Sequence, residues 1–102
     1  MPDLDEVLVS AARLRICAYL SGCAEAEFKA VADYCGMSAP TLSKQLTALA
    51  VPGYVDIRKV ASGRYTKTVL ALTDTGSAAL REHVAALQSI ASSATQDALR
   101  SR

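Results

Sequence analysis

Between Ser38 and Leu49 the chain reads SAPTLSKQLTAL, in which Thr41, Ser43, Lys44, Gln45 and Thr47 are hydrogen-bonding side chains with one cation among them. Hydroxyls and a carboxamide at helical spacing can reach base edges in the major groove of a duplex, and a lysine can reach guanine or a phosphate. A plain solvated helix face has the same composition, so the surroundings must decide. Residues 1–37 carry six acids and three bases, residues 38–68 carry five bases (Lys44, Arg58, Lys59, Arg64, Lys67) against Asp56 alone, and residues 69–102 carry three of each. The formal total of +1 therefore hides a middle segment at +4, where a phosphate-binding face would need its charge.

Other chemistries find less support. The single histidine, His83, has no cysteine, serine or acid at a catalytic spacing, and no glycine-rich phosphate loop is present, so catalysis is not expected and His83 is read as a surface residue of an amphipathic helix. Cys17, Cys23 and Cys35 are odd in number and form no C-x-x-C, which argues against a secreted disulfide scaffold. They could ligate a thiophilic metal, and Cys23, in an expected loop, could sense oxidant; no metal or cofactor is assigned. No apolar run approaches the ~20 residues of a membrane span, and the acidic start MPDLDEV is unlike a signal peptide, so a soluble cytoplasmic protein is expected.

The elements that would hold the polar stretch can be read in order, within a single domain spanning residues 1–102. A first helix is expected over about Leu4 to Leu20, with Leu8, Ile16, Cys17 and Leu20 on its apolar side, ended by Ser21-Gly22. A second runs from about Ala26 to Cys35, closed by Gly36, whose lack of a Cβ admits a left-handed turn. Ser38 then caps a third helix, with Pro40 in its first turn and Leu42, Leu46 and Leu49 on one stripe. Pro52-Gly53 stops it. Tyr54–Val60 alternates as a half-buried strand, Ala61–Arg64 has hairpin-tip composition, and Tyr65–Leu72 returns as a second strand. Thr73 caps a last helix over about 74–98. There Leu80, Val84, Leu87, Ala91, Ala94 and Ala98 recur at intervals of four and three, a seam suited to pairing with a second copy.

Two helices around a glycine turn, with Ala32 four residues before Gly36 and Leu42 six after it, followed by a hairpin, resemble the winged helix-turn-helix transcriptional regulators of the MarR and ArsR kind. The resemblance spans about residues 10–90 and rests on ARLRICAYL at 12–20, FKAVADYCGMSAPTLSKQLTAL at 28–49, GYVDIRK at 53–59 and LTDTGSAAL at 72–80. It implies a mainly α fold with a small two- or three-stranded wing. Its recognition helix would present Ser38, Thr41, Ser43, Lys44, Gln45 and Thr47 to double-stranded DNA, and its wing, residues 54–72, would bring Arg58, Lys59, Arg64 and Lys67 to the backbone. Members are homodimers, which gives Leu80, Val84, Leu87 and Ala91 a dimerisation role. The chain departs from the pattern in Ala50-Val51-Pro52, where relatives commonly carry acids, and in Ser10-Ala11, where ArsR-like relatives often carry His-Pro. A protein-interaction module and a metal- or thiol-responsive sensor are the alternatives. A pocket between paired terminal helices would have room for a small apolar effector, which the sequence does not identify.

Overall fold

In a computed structural model that describes residues 3–100, Ser10 and Ser38 each adopt extended backbone and accept a hydrogen bond from an amide three residues on, Arg13 at 3.4 Å and Thr41 at 3.3 Å. These caps open α1 (Ala11–Ser21) and α3 (Ala39–Ala50), with α2 (Phe28–Cys35) between them and α4 (Asp74–Arg100) at the end. Strands β1 (Ala26–Glu27), β2 (Val55–Ser62) and β3 (Tyr65–Leu72) form one antiparallel sheet with β3 in the centre, in the order β1-β3-β2. Gly36 closes α2 at φ 64°, and the Met37 amide reaches back to the Ala32 carbonyl at 2.9 Å. Leu42, Leu46 and Leu49 of α3 are buried against Ile16, Leu20 and Val31, in a core completed by Val55, Leu70 and Leu80. The result is the mainly α, winged-helix architecture expected from the sequence.

Several expectations need correction. The first helix does not begin at Leu4. Asp5 Oδ1 accepts from the amides of Val7 and Leu8 at 2.8 and 3.1 Å, making a separate turn before Ser10 restarts the chain as α1. Nor does the second helix begin at Ala26: Ala26 and Glu27 pair with Leu70 and Val69, a third strand too short for periodicity to reveal. The first hairpin strand is less buried than its alternation suggested, since Val55 is buried but Ile57 is 42% exposed. On β2 the buried positions end at Val55, whereas β3 keeps Val69 and Leu70 buried; the hairpin then leaves the helical core and turns at Gly63, whose φ of 61° suits the first position of a two-residue turn.

His83 is the clearest reversal. It is 1% exposed, and its Nδ1 accepts from the backbone amide of Asp5 at 2.9 Å. The Asp5 carboxylate in turn accepts from the Tyr54 hydroxyl at 2.5 Å, so the N-terminal turn, the wing stem and α4 meet at one polar joint. Burial would push the Asp5 carboxyl up, but hydrogen bonds from Tyr54, Leu8 and Val7 together hold it below its usual value. The same bond, followed by burial, pushes the Tyr54 hydroxyl up to about 12. Beside it, the Thr73 amide donates to the Tyr54 carbonyl at 3.0 Å, while its hydroxyl donates to the Gly53 carbonyl at 2.5 Å and accepts from Gly76 at 3.0 Å. Gly76 passes so close that a Cβ there would stand 2.2 Å from the Tyr54 carbonyl oxygen.

Candidate nucleic-acid interface

Burying Leu42, Leu46 and Leu49 turns the rest of α3 outward. Ser38, Thr41, Ser43, Lys44 and Thr47 are all exposed. Their hydroxyls are partly organised: Ser38 donates to Thr41 Oγ1 at 2.9 Å, and Thr47 donates to the Ser43 carbonyl at 3.0 Å. Thr47 thus keeps its lone pairs and methyl group for a partner. Gln45 differs from the other five in being half-buried, with its Oε1 accepting from Arg13 Nη1 at 3.2 Å. Arg13 is itself anchored by Nε to the Val7 carbonyl at 2.6 Å. Because a guanidinium only donates, the carboxamide must turn its oxygen toward α1 and its NH₂ away.

The hairpin register sorts the wing cations. Lys59 pairs with Thr68 and Ile57 with Leu70, on the sheet face that looks toward α3. There Ser43 and Thr47 from the helix and Lys59 and Thr68 from the sheet rim an open groove of about 250 Å³ floored by Phe28, Leu46 and Ile57. Arg58, which pairs with Val69, and Lys67, which pairs with Val60, lie on the opposite face. Arg58 is ion-paired with Glu25 and stands 3.8 Å from Asp56; Lys67 donates to Glu27 at 2.9 Å. Arg64 sits in the hairpin turn. Among the described residues, no carboxylate forms an ion pair with Lys44, Lys59 or Arg64.

Arg13, Glu25 and Glu27 are neighbours of the site that the sequence left anonymous. The two glutamates counted toward the acidic N-terminal third, and only the strand β1 brings them beside the wing. The expected seam on α4 is divided too. Leu80 belongs to the protomer's own core at 9% exposure, whereas Val84, Leu87 and Ile90 are 38%, 40% and 47% exposed, and every residue from Ala91 to Arg100 is exposed. Cys17 and Cys35 are buried, and burial pushes the Cys17 thiol up to about 11 and the Cys35 thiol in the same direction, away from the thiolate that reacts or binds metal. Cys23 is exposed. Among the described residues, no group of three or more His, Cys, Asp or Glu side chains could hold a metal ion, and no helix is long and apolar enough to cross a membrane.

A helix whose outer face is polar, set beside a hairpin with unpaired cations, defines a winged-helix nucleic-acid-binding domain. The family model of the winged helix DNA-binding domain matches residues 12–91, and the chain belongs to that family. Among solved structures, a transcriptional regulator homologue from Pyrococcus horikoshii is similar with a TM-score of 0.82 at 22% identity, over 87% of this chain and 88% of that one. The homodimeric winged helix-turn-helix DNA-binding domain of a possible ArsR-family regulator from Mycobacterium bovis has a TM-score of 0.63 at 26% identity, over 90% of this chain and 78% of that one. The regulator MOSR of Mycobacterium tuberculosis, solved with DNA, has a TM-score of 0.67 at 22% identity, over 90% of this chain and 68% of that one. No curated protein matches the chain.

Proposed function

We propose that the protein is a sequence-specific transcriptional regulator that binds double-stranded DNA as a homodimer in the cytoplasm, with α3 in the major groove and the hairpin as its wing. The observation that carries this reading is the alignment of two unlike surfaces on one side of the molecule. Ser43 and Thr47 of α3 and Lys59 of the wing rim one groove, and Thr41 and Lys44 continue the same exposed helix. Hydroxyls serve for base edges, and the unpaired cations serve for phosphates. Dimerisation is supported by the exposed ridge of Val84, Leu87, Ile90 and Ala91 on α4, and by the homodimeric state of the similar Mycobacterium bovis domain. Two-fold symmetry would set two copies of α3 about one helical turn apart, ~34 Å, on an inverted repeat.

Selection of the purified chain on a random duplex pool, at two salt concentrations and with its mass in solution recorded, tests the reading. Enrichment of a short inverted repeat by a dimer is expected. Weak, salt-insensitive binding without enrichment would instead assign the winged helix to a protein partner.

A further inference from the structure

The outer face of the sheet carries its own counter-charges. Arg58 and Lys67 meet Glu25, Glu27 and Asp56 there, two bases against three carboxylates, whereas Lys59 on the face toward α3 meets none among the described residues. Glu25 immediately precedes β1 and Arg58 lies on β2, the two edges of the sheet, so their ion pair crosses over the central strand. Each pair is about half exposed, and one such contact alone is weak. A phosphate taking either cation, however, would leave a glutamate unpaired beside it and bring like charges together. From this partition we infer that Glu25 and Glu27 hold Arg58 and Lys67 off the nucleic acid. Lys59 and Arg64 are then the hairpin cations that neutralise phosphates, and the two glutamates set the salt-dependent part of the affinity. The inference rests on the duplex binding proposed above.

A coupled set of variants of the full chain, titrated with salt on one duplex, tests it. In the otherwise wild-type chain, Arg58→Ala leaves the slope of log K against log salt unchanged, while Lys59→Ala makes it shallower by about 0.9. Glu25→Gln combined with Asp56→Asn makes it steeper by about 0.9, because the arginine released from both carboxylates now displaces a counterion, and adding Arg58→Ala to that pair restores the wild-type slope. Glu27 and Lys67 give the same pattern. The non-additivity is diagnostic, since merely deleting a negative charge near DNA would act alike whether or not Arg58 is present. If Arg58→Ala makes the slope equally shallow in both backgrounds, the inference is overturned and duplex binding stands. A wild-type protein with no salt dependence on any duplex overturns both.

Discussion

Asp5 shows how much a single carboxylate can organise, joining the N-terminal turn to Tyr54 on the wing stem while its backbone amide engages His83 on α4. Tyr54→Phe should lower stability by about 1–2 kcal/mol in a denaturant titration at neutral pH, toward the modest end for a charged hydrogen bond because the contact is only part-buried. The folded Asp5 value lies below 3.8, so its contribution is complete above that pH and is lost as pH falls through the folded value. The folded Tyr54 value lies above 10, so its contribution is complete below pH 10 and is lost as pH rises toward about 12. The wild type should therefore weaken at both limits, and Tyr54→Phe should show a shallower alkaline limb, leaving the part that the buried Cys17 and Cys35 thiols contribute in the same direction; an unchanged alkaline limb in the variant would assign it elsewhere. At the recognition face, Arg13→Met should free the Gln45 carboxamide to rotate and alter the preferred base at one position of a selected site, by roughly 1–3 kcal/mol. If the selected sequences are identical, Gln45 reads no base. The outward hydroxyls were legible because three leucines at spacings of four and three fix which way α3 faces. The Asp5 joint was not, because its partners lie 49 and 78 residues away and no periodicity links them.

Two glycines make opposite demands on the elements they join. Gly36 has open space around its missing Cβ but a φ of 64°, whereas Gly76 has ordinary helical backbone and no space at all. Gly36→Ala should cost about 1–2 kcal/mol through backbone strain alone. Gly76→Ala gains helix propensity of up to ~1 kcal/mol, yet overpacking of about 1–3 kcal/mol or more should outweigh it, since the obstructing atom is a backbone oxygen. Thermal melts of the two variants test both signs, and a stabilised Gly76→Ala would mean that α4 can slide away from Tyr54. Only the first glycine was readable from sequence, because a turn between two helices announces itself, while a close approach between distant elements does not. The same limit hid β1, whose two residues form a strand solely because β3 lies alongside.

The whole molecule measures 66 × 25 × 21 Å, long because the 27 residues of α4 run on past the domain that holds their first turns. Its core stripe, Gly76, Leu80, His83 and Ala86, and its exposed ridge, Val84, Leu87 and Ile90, are two faces of one helix. The heptad reading blended them because Leu80 fits either. Leu87→Glu should dissociate a dimer without unfolding the protomer, whereas Leu80→Ala should cost about 2–4 kcal/mol of folding stability. Sedimentation and denaturant curves separate the two effects, and an unchanged mass for Leu87→Glu would remove the ridge from the interface. The joint at Tyr54 then acquires a geometric meaning. With Gly76 against the Tyr54 carbonyl and Thr73 bonded to the same peptide and the one before it, hairpin and helix are braced together as one bracket. An eight-residue strand is a lever of about 26 Å, so tilting α4 by about 10° sweeps the wing tip through roughly 4–5 Å. That exceeds the ~3.4 Å rise of one base pair, so the angle at which two copies of α4 cross would decide the half-site spacing the pair can span.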